Sequence, residues 1–402
     1  MKDISFSKRR MNMKTRKTLL IIVAFILMFT LALPATATAN TIALQIDKQV
    51  VRPAVAPVVE GGTTLVPLRF ISETLGAQVA WDGAARRATI ETAGFTVVFT
   101  IDSTTYTVNG ATRTLAVAPK IIDGSTMVPI RAFAESIGAT VNYNSATHTA
   151  SVDYFTTMSG SLRLTGSTTV QPIAQGAADK LMSMNTGLSI AVAGGGSGTG
   201  INDTIAGTNN IGMSSRDLTA EELAQVRAFA IANDGIAIIV HPSNGVTNLT
   251  KQQAADIFLG KTRNWNEVGG ANAPILIQTR ETGSGTLSTL QDLLLARGET
   301  VATTATPHAS SQLIKQAVAR DRNSIGFDSL GYVDDTVKVV PINGVSPSET
   351  TVQNGTYVMS RQLFVTTSMA TRPTGNTAKF IDYLRTQDCQ TNIVKKEGYV
   401  PL

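Results

Sequence analysis

Arg280-Glu281-Thr282-Gly283-Ser284-Gly285-Thr286 follows an apolar run at 275–278 and precedes a helix-like stretch at 287–295. The same strand–loop–helix order surrounds Gly166-Ser167-Thr168-Thr169, which leads into 170–182. It recurs at Gly194-Gly195-Gly196-Ser197-Gly198-Thr199-Gly200, which leads into 200–205. The first turn of a helix exposes backbone N–H groups without intrahelical partners and carries a partial positive charge. Glycine lets the backbone approach a bound group, and Ser and Thr hydroxyls add donors. One such loop reads equally well as an ordinary Ser/Thr N-cap. Three in the same context, one of them opened by a guanidinium, describe a site for a small tetrahedral oxyanion. A fourth segment, Gly212-Met213-Ser214-Ser215-Arg216, lies at another strand-to-loop junction and is a candidate to complete the ring.

Outward from these loops, apolar runs at 162–164, 190–193, 236–240, 325–327 and 337–340 alternate with helical stretches. Thr219-x-x-Glu222 and Thr250-x-x-Gln253 are capping boxes that mark helix starts. Strand–helix alternation over roughly 240 residues implies an α/β domain with mainly parallel strands, arranged as two sheets rather than one. Hinges between its halves are expected near Ile239 and Tyr332. Enzyme signatures fail residue by residue. Ser197 and Ser284 are flanked by Thr199 and Thr282 where a nucleophile elbow needs glycine, and the glycine run lacks both the Walker and the dinucleotide spacings. No His, Cys or carboxylate cluster stands beside the loops to act as general base. Binding without turnover is expected: no enzyme, no catalytic residue, no cofactor.

The region before 156 has a different texture. Residues 64–80 read TLVPLRFISETLGAQVA and residues 126–142 read TMVPIRAFAESIGATVN, a duplication at an offset of 62. Each copy predicts a polar-tipped hairpin, a strand ending at Val66-Pro67 or Val128-Pro129, and a helix over 68–75 or 130–137. Gly76 and Gly138 stand where a left-handed C-cap needs glycine, and two further strands follow each. Pro67 and Pro129 suit first-turn positions, and Arg69/Glu73 with Arg131/Glu135 are candidate i,i+4 pairs. The pattern resembles the copper-amine-oxidase N-terminal-like domain. No copper ligand set accompanies it, because residues 40–155 contain one histidine, His148. It reads as a small α+β stalk or wall-proximal module.

The three loops, together with Asp256-Ile257-Phe258-Leu259-Gly260, Asn264-Trp265-Asn266 and the closing Glu397-Gly398-Tyr399-Val400-Pro401-Leu402, resemble the phosphate-binding proteins of bacterial ABC phosphate importers. The resemblance runs from about Ser161 to Leu402, and its most specific part is R-x-x-G-S-G-T. It implies a two-lobed periplasmic-binding-protein type II fold that holds inorganic phosphate for a membrane ABC permease. Carried over position by position, it implies that Thr168, Thr169, Ser197, Ser215, Arg280, Ser284, Gly285 and Thr286 surround the anion. In some family members an aspartate accepts the proton of phosphate and excludes sulfate. Here that position is Ser215, so oxyanion binding is implied more firmly than phosphate selectivity. The alternative is a cell-surface or matrix protein that uses the oxyanion site for sensing or adhesion.

Residues 1–39 have the layout of a secretory signal: a basic stretch ending at Lys17, an apolar run over 19–33, and Ala35-Thr36-Ala37-Thr38-Ala39, which offers cleavage after Ala37 or Ala39. The run is short of the roughly 20 residues of a spanning helix. The expected division is therefore 1–39 signal, 40–155 duplicated module and 156–402 two-lobed domain. The protein is expected to be exported, and extracellular or cell-surface. The one cysteine, Cys389, lies far from the signal, so lipid anchoring through cysteine is not expected, and the repeat is the candidate for contact with the cell wall. The chain of 402 residues carries 34 basic and 29 acidic side chains, but seven of the basic ones fall in the first 39 residues. The remainder is nearly neutral, which argues against a nucleic-acid partner. His148, His241 and His308 are scattered singly and read as surface or loop residues, with no zinc spacing. A composition 43% apolar and 16% charged is that of an ordinary folded protein.

Overall fold

The two copies of the repeat meet strand to strand. In the computed structural model, which describes residues 42–402, Val66 pairs with Val128, Leu65 with Pro129 and Pro67 with Met127 in one antiparallel ladder. Val66 and Val128 are equivalent positions, so this ladder sets a local twofold axis between the copies. Outer strands Val58–Glu60 and Lys120–Ile122 widen it to four strands. Each inner strand runs into a short helix, Leu68–Thr74 or Ile130–Ser136. The prolines stand one position earlier than expected, at the N-cap, as the last residue of each strand. Gly76 and Gly138 end the helices with φ of 77° and 80°, the left-handed region where a side chain is strained. The two Arg–Glu pairs form at 3.5 and 3.1 Å on the exposed face, where each contributes under about 1 kcal/mol. The first strand, Ala43–Ile46, returns to pair in parallel with Thr149–Asp153 at the end of the second copy. The signal-like segment 1–39 lies outside the described residues.

A five-stranded antiparallel sheet running from Gln78–Asp82 to Ala111–Thr114 completes the module, and the strands from Gly160 onward form one mixed sheet of nine strands instead of two mainly parallel ones. The reason is a single long strand, Val226–Val240, of 15 residues. From Val226 to Gly235 it pairs antiparallel with Ser360–Ser368. From Ile236 onward it pairs instead with Ser324–Ser329 and Lys338–Val340. The change of partner divides the domain into two lobes that share a strand. The parallel pairs flank it: Gly160–Gly166 with Leu188–Gly194 and Ile211–Ser214 in the first lobe, and Leu276–Arg280 with Thr306–His308 and Ser324–Ser329 in the second. The hinge therefore falls at Gly235 and Ser360, which face each other. Ile239 lies inside the second lobe opposite Gly326, and Tyr332 reaches across to the first lobe, where its hydroxyl donates to the Thr168 carbonyl at 2.8 Å.

The module sits directly on the first lobe, and one apolar core runs from Ile42 and Phe133 through Leu164 to Val365. Asp382, on the helix Gly375–Arg385, is the polar centre of the junction. Its carboxyl accepts the Ala93 N–H and the Tyr154 hydroxyl, both at 2.7 Å. The approach is so close that a Cβ on Gly76 would lie 1.9 Å from the Asp382 carbonyl oxygen. Asp47 braces the same junction by accepting the N–H groups of Tyr154 and Thr156 at 2.8 and 2.9 Å.

Complete burial raises the Asp382 pKa to about 7, against the two hydrogen bonds and Arg385, which lower it. The folded protein thus prefers the neutral acid. Its contribution is full below the ordinary carboxyl range and is lost as pH rises through about 7, at a cost of up to about 4 kcal/mol. Calorimetric melting should show the Tm falling from pH 5 to pH 8, with a shallower fall in Asp382→Asn. An equal fall in both proteins would show that this carboxyl is not the titrating group.

Candidate functional site

The glycine loops meet across the cleft between the lobes. Thr168 and Thr169 stand between the strand Gly160–Gly166 and the helix Gln171–Met184. Thr169 Oγ1 lies 2.9 Å from Thr286 Oγ1 of the opposite lobe. Ser197 opens the helix Ser197–Ala206, and its Oγ accepts the Ser215 N–H at 3.0 Å while lying 3.3 Å from Ser215 Oγ. Gly285 opens the helix Gly285–Leu294 against those two hydroxyls: a Cβ there would lie 2.2 Å from Ser197 Oγ and 2.8 Å from Ser215 Oγ. The Gly283 carbonyl accepts the Gly198 N–H at 3.1 Å. The cleft is therefore closed, loop against loop. Ser284 is turned away from the others, because its Oγ accepts the Leu287 N–H at 3.3 Å and caps its own helix. All eight residues expected from the sequence are buried and brought together.

Arg280 holds the centre with 3% of its surface exposed. Its Nη2 donates to Thr168 Oγ1 at 3.1 Å and to the Ala309 carbonyl at 3.2 Å, its Nη1 to Ser311 Oγ at 3.1 Å, and its Nε to the His308 carbonyl at 3.1 Å. All four partners are neutral oxygens, so they orient the cation without neutralising it. His308, expected to be a surface or loop residue, is the half-buried end of an otherwise exposed strand and lends its backbone to this clamp. Ser311 brings a fourth helix N-terminus, that of Ser311–Arg320, and its N–H donates to Thr168 Oγ1 at 3.3 Å. Four helix N-termini and one guanidinium thus converge in a water-poor cleft. Each N-terminus adds about half a positive charge, and burial pushes the Arg280 pKa down from its ordinary value. Such a site favours a compact anion. Among the described residues there is no group of three His, Cys, Asp or Glu placed to hold a metal ion. Among them, too, no helix is long and apolar enough to cross a membrane.

Comparison with known proteins supplies the family. Residues 144–387 match the PBP superfamily domain, and residues 45–152 match the copper amine oxidase N-terminal domain. The phosphate-binding protein PstS of Bacillus subtilis is 35% identical over 251 residues, 61% of this chain and 81% of that protein. A phosphate ABC transporter substrate-binding protein from Clostridium perfringens, solved with bound phosphate, is 36% identical with a TM-score of 0.58, covering 60% of this chain and 100% of its own. An ABC-type phosphate transport receptor from Vibrio cholerae is 32% identical with a TM-score of 0.52, again covering 60% and 100%. This chain belongs to the phosphate-binding proteins of the PBP superfamily.

Within this phosphate-binding-protein framework, the structure adds residues that the loop motifs did not single out. Ser311 follows Ser310, an N-cap whose Oγ accepts the Leu313 N–H at 3.2 Å; the Ser-Ser pair before an amphipathic stretch was the available signal. Asp234 and Arg361 face each other at the hinge, with Arg361 Nε and Nη2 donating to Asp234 Oδ2 at 3.0 and 2.8 Å. Arg361 Nη1 also donates to the Ser215 carbonyl at 2.8 Å, and Asp234 Oδ1 accepts the Ser329 hydroxyl at 2.7 Å. The pair ties a loop of one lobe to a strand of the other. Nothing local in the sequence marks it, because its partners are 127 residues apart. Arg216, by contrast, turns out of the cleft to a bidentate pair with Glu222.

Asp328 is a buried carboxyl whose Oδ1 accepts the Ser329 N–H at 2.9 Å, whereas Oδ2 has no hydrogen-bond partner. Burial raises its pKa to about 7, opposed by Ser329, Arg280, Ser311 and Arg361. Once ionised, it partly cancels the Arg280 charge. Ionisation of Asp328 should therefore weaken anion binding, so Asp328→Asn should gain affinity over the unaltered chain at pH 8 but not at pH 6. Calorimetric affinities at both pH values check this, and parallel curves would rule the carboxyl out. Arg361→Ala leaves a buried carboxylate unpaired and should lower unfolding stability by about 3–5 kcal/mol in urea titrations, against under about 1 kcal/mol for Arg69→Ala.

Proposed function

We propose that this protein captures inorganic phosphate between its lobes and hands it to a membrane ABC permease. Thr168, Thr169, Ser197, Ser215, Arg280, Ser284, Gly285 and Thr286 form the ligand shell, Ser284 through its backbone. The observation that carries the reading is the buried Arg280 guanidinium, clamped by neutral oxygens where four helix N-termini meet. The phosphate-bound relative at 36% identity supports it. Charge-assisted hydrogen bonds contribute roughly 1.5–3 kcal/mol each. A shell of this size exceeds the roughly 8 kcal/mol of a micromolar site even after desolvation of the anion and ordering of the lobes.

The activity is binding without turnover, as in the solute-binding relatives. The chain divides into a cleaved signal over 1–39, the duplicated module over 40–155 and the two-lobed receptor over 156–402. The protein is exported, and the module retains it at the cell wall. Because the position that carries an acid in some relatives is Ser215, a protonated phosphate finds hydroxyl acceptors at Ser197 and Ser215 rather than a carboxylate.

Arg280→Ala tests the assignment: phosphate affinity should weaken at least about tenfold, the equivalent of about 1.4 kcal/mol. Ser197→Ala should weaken it less while the circular dichroism spectrum stays unchanged. Unaltered affinity in Arg280→Ala would remove the cleft from the proposal.

A further inference from the structure

Two concavities of the module come as a matched pair. One, of about 510 Å³, is walled by Arg69, Glu73 and Trp81 of the first copy and closed by Ile121 from the hairpin of the second. The other, of about 490 Å³, is walled by Arg131, Glu135 and Tyr143 of the second copy and closed by Val59 from the hairpin of the first. Every one of these residues is the partner, at an offset of 62, of a residue in the other groove. The twofold ladder at Val66 and Val128 explains the exchange, since each copy lends its outer hairpin to its neighbour's groove. Both volumes fall in the range of built ligand pockets.

Each groove keeps the same chemistry. An aromatic ring stands half-open to solvent, Trp81 at 42% and Tyr143 at 47%. Beside it the arginine is paired with the glutamate of its own helix at 3.5 or 3.1 Å. The pair gives the groove no net charge, so it does not attract an ionic ligand. It does set fixed donors next to fixed acceptors, which suits hydroxyl groups that both give and accept hydrogen bonds. A sugar ring offers that combination: an apolar C–H face for the aromatic ring and a rim of hydroxyls for the Arg–Glu pair. Two equivalent grooves on one small module suit a ligand that repeats, because a second contact along one chain becomes intramolecular. We infer that the two grooves are paired binding sites for a neutral glycan chain of repeating hexopyranose units. The inference gives the wall-retention reading above its ligand and is independent of the phosphate cleft.

The protein supplies its own reporter. Of its two tryptophans, Trp265 is buried at 1% exposure with Nε1 donating to the Asn323 carbonyl at 3.0 Å, which leaves Trp81 as the solvent-facing one. Titration of the chain with the hexamer of N-acetylglucosamine, and separately with cellohexaose, should give a saturable blue shift of tryptophan emission with at least one of them. Calorimetry with the disaccharide of the same sugar, which engages one groove at a time, should find two sites. Trp81→Ala should lose the emission change and one site, and Trp81→Ala/Tyr143→Ala should weaken binding at least tenfold with phosphate affinity unchanged within twofold. Both rings are exposed, so neither substitution removes a core residue. No saturable response to either oligomer, or undiminished binding by the double variant, overturns the proposal. So does an oligoproline peptide that binds the grooves in their place. A chain that still binds isolated cell walls but neither oligomer would keep retention and overturn the glycan grooves.

Discussion

One buried cation sets the terms for the rest of this molecule. Arg280 lies in a cleft where four helix N-termini add to its charge, and its own hydrogen bonds go to neutral oxygens. A buried charge whose hydrogen bonds go to neutral groups, and whose one acidic neighbour, Asp328, is held toward its neutral form by burial, is expensive. The surrounding fold must therefore hold it in place and offer an anion the route to compensate it. The clamp comes from both lobes: Thr168 from one, and Ser311, Ala309 and His308 from the other. Closing the lobes and completing the arginine's surroundings are the same event, which is how a two-lobed protein couples ligand capture to shape.

The hinge is built to permit that event without loosening the core. A single strand serves both lobes, and its change of partner at Gly235 places the flexible point beside the Asp234–Arg361 pair. That pair reaches Ser215 on one side and Ser329 on the other, so it spans the pivot with directional bonds instead of apolar packing. The module, by contrast, shares its apolar core with the first lobe and is pinned there through Asp382. Any surface to which it attaches would hold that lobe and leave the second free to move.

Much of this was legible in the sequence because it is local. The capping boxes at Thr219 and Thr250 form as read. The glycine-terminated helices of the repeat end where left-handed glycines stand, and the three loops converge as strand–loop–helix order implied. What was not legible is non-local. Only the apolar tail of the long strand, 236–240, stood out; its first half mixes alanine, arginine and asparagine, and its partner strand lies over a hundred residues away. The single mixed sheet and the true hinge followed from that pairing. Asp328 was hidden for a different reason. Its chemistry comes from complete burial beside a cation, and burial of one acid in a short strand that reads Ser-Ile-Gly-Phe-Asp-Ser has no periodic signature.

The central claim is that the cleft is a phosphate site, and one experiment addresses it directly. A phosphate-stripped sample of the chain is titrated calorimetrically with phosphate and then with sulfate. One phosphate should bind per chain with a Kd of about micromolar or tighter, and the sulfate titration shows whether the serine hydroxyls at Ser197 and Ser215 discriminate between the two anions. Equal binding of the two anions would leave an oxyanion site without phosphate selectivity, and no binding of phosphate would contradict the account.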